Sequence, residues 1–223
     1  MNSKLLSSLQ LFNLISPALP IGNFAYSQGI EFAIEDNWLK NEDEIYKWIQ
    51  SVLTHSIAYW DLPCLRLMQQ AIINKNENEL KKINETLLAS RETKELWLED
   101  QQVGKALLKL IQNQNIQFDD EFLNNPTVAL GFALASTHYN MDCESILMGY
   151  CWAWCENQVA AASKTLPLGQ TQMQRILQNL MPSIEQAIKT SMTLDYDSMG
   201  NSLPMLAISS SLHQHQYSRL FRS

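Results

Sequence analysis

Four groups of side chains in this 223-residue chain have the types and spacing to do chemistry. Cys151 and Cys155 stand four apart, and His213 and His215 bracket Gln214. Thiolates and imidazoles are ligands for soft or borderline metals, so each pair is a fragment of a metal site. Neither pair has a further ligand nearby in sequence. The cysteines therefore read as small apolar core residues and the histidines as surface or interface imidazoles, with a metal site as the alternative for each pair. Glu156 and Lys164, eight apart, are separated by about two helical turns. They read as an acid and base pair or as a solvated helix end; joined by His55, His138, His213 or His215 in one cleft, they would make a helical hydrolase. The fourth group is the tail, where Tyr217, Leu220 and Phe221 are interleaved with Arg219 and Arg222. Chain ends are normally polar, whereas aromatics and arginines anchor protein interfaces. Residues 213–223 therefore read as a partner-docking tail, its arginines matched to an acidic patch on a partner protein, with packing against its own body as the alternative. So short a segment has few local contacts to offset its ordering entropy, so the tail is expected to be mobile until a partner covers it.

Several chemistries have no motif here. Seven glycines form neither a GxxxxGK[ST] loop nor GxGxxG, and HExxH, GxSxG and CxxC are missing as well. The net charge of −7 is concentrated in residues 31–100, and no basic stripe with interleaved aromatics is visible, which argues against nucleic acid as a partner. The four cysteines are sparse and read as reduced thiols. Ser7, Ser8, Gln10 and Asn13 interrupt the first apolar run, leaving neither a signal segment nor a membrane span, and the expected location is cytoplasmic.

Helices must position these groups. Ile45, Trp48, Ile49, Val52 and Leu53 repeat at three and four, as do Met173, Ile176, Leu177, Leu180, Met181 and Ile184. Further helical runs are predicted at 4–15, 24–36, 62–74, 78–89, 91–112, 127–139, 143–164 and 203–217. Strand patterns are nearly missing. The spacing predicts an all-α fold of about ten helices in a single compact domain over residues 1–223. Ser145 to Cys155 carries no charge, so the helix at 143–164 is expected to be central and buried on every face.

Several segments, taken in order, resemble the UreF family of urease accessory proteins. They are Ser16 to Glu31, Ala89 to Thr93 with Glu99 to Gly104, Tyr150 to Ala160, Lys164 to Thr171, and His213 to Ser223. The likeness spans the whole chain, with small departures at Asn23, Gln214 and His215; Gln214 removes a charge from the tail. The resemblance implies a non-enzymatic, dimeric all-α adaptor. It would join the UreD/UreH-type accessory protein, recruit the UreG-type GTPase and support GTP-dependent nickel insertion into apo-urease. Nickel and GTP would be handled by the partners, with no cofactor bound directly. By position in the matched segments, Tyr26, Gln28, Glu31, Lys164, Gln170, Tyr217, Arg219 and Arg222 are the candidate partner-binding residues. A core tyrosine is the alternative for Tyr26, and Gly22 and Gly29 are assigned to backbone geometry or close helix approach. A direct nickel carrier using His213, His215 and a cysteine is the second reading.

Overall fold

The computed structural model describes residues 4–223, and among them are ten α-helices and no strand. In chain order they are α1 (Lys4–Leu14), α2 (Ile30–Glu35), α3 (Glu42–Val52), α4 (Asp61–Ile73), α5 (Glu77–Ala89), α6 (Lys94–Asn113), α7 (Val128–His138), α8 (Cys143–Thr165), α9 (Gln170–Met192) and α10 (Pro204–His213). The local sequence explains where most of them begin. Asn41, Asn76, Thr93, Thr127 and Asp142 each accept a hydrogen bond from a backbone N–H in the first turn of α3, α5, α6, α7 and α8, satisfying a donor that has no partner within the helix. Pro204 occupies the first turn of α10, where its missing N–H costs nothing.

Apolar side chains from all ten helices join in one core cluster, to which Phe221 of the tail also belongs. Helix α8 packs on α9 and α2 and also meets α1, α3, α4 and α7; α4 lies between α5 and α7, and α7 packs on α6. The helix at 143–165 is therefore central as expected. It is not buried on every face, since Met148 is 51% exposed. A segment without charges can cross an open side of the core, because composition does not report coverage.

Two departures come from backbone geometry. The run expected at 24–36 divides into a 3-10 turn at Asn23–Ala25 and α2, separated where Gln28 and Gly29 take positive φ. At Gly29 the conformation is left-handed, and an added Cβ would meet Ser209 Oγ at 2.6 Å, so the glycine serves both the turn and the approach of α10 to α2. After α3 the chain forms a π turn at Leu53–Ile57, and the following loop is latched by Asn201, whose amide donates to the His55 carbonyl while its own carbonyl accepts from Trp60 Nε1.

Candidate functional site

Helix α6 carries Glu95, Glu99 and Gln102 at successive turns, so all three face the same way. Opposite them lies Glu31 in the first turn of α2, a helix N-terminus that favours a carboxylate. The tail runs between these two helices. His213, the last residue of α10, is fully buried, with Nδ1 2.8 Å from Glu95 Oε2 and Nε2 2.9 Å from Glu31 Oε2. Both ring nitrogens thus face carboxylate oxygens. Arg219 Nη1 donates to the other Glu95 oxygen at 2.8 Å, and the backbone N–H groups of Leu220 and Phe221 donate to the Glu31 carboxylate at 2.7 and 3.1 Å. Arg222 N donates to the Ala25 carbonyl, and Ser27 donates through both its N–H and its hydroxyl to the Ser223 main-chain oxygen.

Glu99 closes the cradle. Its carboxylate accepts from Ser223 Oγ and from Gln28 Nε2, each at 2.8 Å, and Gln28 in turn accepts from Trp154 Nε1 of α8. Burial lifts the Glu99 carboxyl to about 7, against the pull of its hydrogen bonds to Ser223 and Gln28, which favour the charged form. Tyr26 donates its hydroxyl to Gln102 Oε1 at 2.7 Å, and Asn157 of α8 donates to the Tyr26 carbonyl.

A second charged cluster lies deeper. Arg91 forms a two-bond fork on Asp61 and reaches Asp100, while Tyr150 donates to Asp61 and Val128 N donates to Asp100. These bonds join α4, α6, α7 and α8 around one guanidinium. Burial raises the Asp100 carboxyl, with the Arg91 charge opposing, and burial also raises the Tyr150 hydroxyl well above its ordinary value. The cluster borders a cavity of about 260 Å³ lined in part by Trp60, Phe132, Trp154 and Glu156.

The structure corrects several sequence expectations. Tyr26 and Glu31, expected on a partner-facing surface, are buried, because their polar atoms are used to fix the tail and the segment before α2. Gln28 is half-buried for the same reason, whereas Lys164, Gln170, Tyr217, Arg219 and Arg222 are exposed. The tail, expected to lack contacts, finds them on α2 and α6. His213 spends both nitrogens on carboxylates, and His215 lies exposed outside the cradle. Cys151 and Cys155 are fully buried, as expected of small apolar core residues, and burial pushes their thiols up, so they offer no accessible thiolate to join the histidines. Among the described residues no group of three or more His, Cys, Asp or Glu side chains is arranged to hold a metal ion.

No ion pair joins Glu156 to Lys164 among the described residues, although Phe24, which Lys164 approaches, lines the same cavity as Glu156. Glu156 borders the cavity, its carboxyl raised by burial, while the Lys164 ammonium lies 5.3 Å from the Phe221 ring centre and 5.9 Å from that of Phe24. His55 and His138 are exposed. Sequence reasoning missed the roles of Glu95, Glu99, Ser27 and Trp154. The spacing of Glu95, Glu99 and Gln102 along one helix face was the available signal, but it did not say what the face would hold.

A family model for UreF matches residues 39–181. Among curated proteins, the urease accessory protein UreF of Hahella chejuensis is 44% identical over 219 residues, covering 98% of this chain and 99% of that protein. UreF of Marinomonas sp. is 43% identical over 215 residues, covering 96% and 94%. The chain belongs to the UreF family. UreF of Teredinibacter turnerae is 42% identical over 224 residues and covers 100% of both chains, so likeness to UreF extends through the cradle and the tail, beyond the span of the family model. Membership of this family of urease accessory proteins gives the chain a role in urease maturation. No helix among the described residues is long and apolar enough to cross a membrane.

Proposed function

We propose that this UreF-family protein is a non-catalytic adaptor in urease maturation. It joins the UreD/UreH-type accessory protein, recruits and modulates the UreG-type GTPase, and so supports GTP-dependent nickel insertion into apo-urease. It acts as a homodimer, and its partners handle the nickel and the GTP. The observation that carries this reading is the form of the tail. Its backbone is fixed by buried carboxylates, yet Tyr217 is fully exposed and Leu220 is 70% exposed, beside Phe24 at 65%. A segment so firmly tied that still presents large apolar side chains to solvent offers a preformed contact surface with little left to order on binding. Lys164, poised over Phe24 and Phe221, adds a cation to that surface.

An adaptor of this kind works by binding one state of its partners more tightly than another, and its effect is bounded by that difference. The test is co-purification with D-type and G-type partners, with particle mass measured in solution. Lys164→Ala should fold as wild type yet weaken GTPase recruitment and urease activation in cells. Unchanged activation would remove Lys164 from the contact surface, and failure of the wild type to capture either partner would overturn the adaptor reading.

A further inference from the structure

Beside its carboxylate-bearing face, helix α6 carries a strip with a different character, the two meeting at Gln102. Lys94, Lys105 and Lys109 are exposed and, with Leu98 and Gln102, fall within an arc of about 80° at 3.6 residues per turn. The lysines span about 22 Å of helix. Among the described residues none of the three forms an ion pair; Lys40 and Lys75 also form none, whereas Lys47, Lys81, Lys189 and Arg175 are each paired with a carboxylate elsewhere on the surface. At its N-terminal end the strip is continuous with the tail, since Lys94, Leu98 and Gln102 line one shallow groove with Arg219 and Arg222. Glu95 also borders that groove, but its carboxylate is already taken by His213 and Arg219. The far end is bounded by the acidic turn Asp120–Leu123, where Gln112 donates to Asp120.

A cationic strip of this length on a chain of net charge −7 is a local inversion of the molecule's field. We propose that it docks an extended acidic segment of a partner protein, rich in Asp or Glu with intervening apolar residues, running along α6 and into the groove beside the tail. The inference rests on the adaptor reading and names the chemistry of one of its contacts. Protein is favoured over nucleic acid because Leu98 breaks the strip with an apolar side chain and α6 itself carries no exposed aromatic, Tyr217 of the tail being the nearest in sequence to the groove's arginines. The acidic remainder of the chain would also repel a long polyanion.

The test uses the full chain and a fluorescein-labelled peptide of repeated Glu-Glu-Leu, with its Gln-Gln-Leu counterpart and a single-stranded oligonucleotide of equal charge. Wild type should bind the acidic peptide more tightly than the other two, with affinity falling as salt rises. The variant K94Q/K105Q/K109Q should bind it about tenfold more weakly, while K4Q/K40Q/K75Q, which removes the same charge from scattered sites, should bind as wild type. No measurable binding by wild type, equal loss in both variants, tighter binding of the oligonucleotide, or equal binding of the Gln peptide would each overturn the proposal. A parallel capture of purified D-type and G-type partners separates the two readings. If wild type captures neither, the adaptor reading fails and the peptide result still decides the strip's chemistry. If the stripe variant captures both as well as wild type does, docking through the strip is wrong and the adaptor reading stands.

Discussion

Arg91 shows how one residue can hold four helices. Its guanidinium neutralises two carboxylates that burial would otherwise penalise, and each of those carboxylates has one further donor, Tyr150 or Val128 N. Replacing Arg91 with Met keeps much of the packing and leaves Asp61 and Asp100 buried without a countercharge. Loss of one partner from a buried pair costs about 3–5 kcal/mol, so Arg91→Met should lower the stability measured by urea unfolding by that order. A loss near zero would mean that the charges are solvated in a way the geometry does not support. Glu99 is the opposite case, a buried carboxyl whose hydrogen-bond donors, Ser223 and Gln28, are neutral. Its pKa lies above the ordinary 4.5 and reaches about 7, so the folded state binds the proton more tightly than the unfolded chain does. The contribution of this group to stability is therefore greatest at low pH and declines as pH rises through roughly 5 to 7. Glu99→Gln keeps a donor and an acceptor in place without the charge. Thermal melts of the variant should show a flatter pH slope than wild type across that window, and parallel slopes would refute the assignment.

At the scale of elements, the tail behaves as part of the body that it was expected to leave. Its grip comes from α2 and α6, which are distant in sequence but face each other across His213. Truncation after Gln216 removes the buried Phe221, the Arg219 pair with Glu95, and the backbone donors to Glu31, leaving buried carboxylates short of partners. The loss should be about 3 kcal/mol or more, read as a shift of the urea midpoint. A truncated chain with an unchanged midpoint would show that the tail's contacts are marginal and that only a partner orders it. The helices were the most legible feature of the sequence, because their apolar stripes repeat locally and their caps lie within three residues of the groups they satisfy. Gly29 was legible as a place of special backbone geometry or close helix approach, but the positive φ at Gln28 and the π turn at 53–57 were not. Their geometry goes with contacts to Glu99 of α6 and Trp154 of α8 and to the loop carrying Asn201, and no local pattern encodes those.

For the whole molecule, large side chains of α1 and α10 remain outside the core. Leu5, Leu9 and Phe12 on α1, and Met205 and Ile208 on α10, are each more than 40% exposed. Apolar exposure on this scale fits a protein whose working state is an assembly. Light scattering of the purified chain should give twice its monomer mass, with a closed two-fold contact as the default geometry. A monomer at high concentration would count against the dimer. The same preparation, freed of contaminants, should hydrolyse no GTP, and turnover above buffer would contradict the adaptor reading.

The sequence by itself determined the all-α class, the positions of most helices to within a few residues (though not the late start of α2 at Ile30 or the end of α10 at His213), the missing phosphate loop and the likeness to UreF. All of these rest on local periodicity, on caps, or on motifs that can be compared in order along the chain. Tertiary structure alone decided which polar residues are available. Tyr26, Glu31 and His213 looked like surface chemistry, because a polar side chain carries no mark of whether another segment will satisfy it. Lys94, Lys105 and Lys109 looked unremarkable, because their charges are separated by eleven and four positions and become a strip only when the helix turns them to one side. The arginines of the tail join that strip through a fold-back that depends on Glu31, Glu95 and Glu99. Burial and charge fields are sums over neighbours in space, and the chain supplies those neighbours only after it has folded.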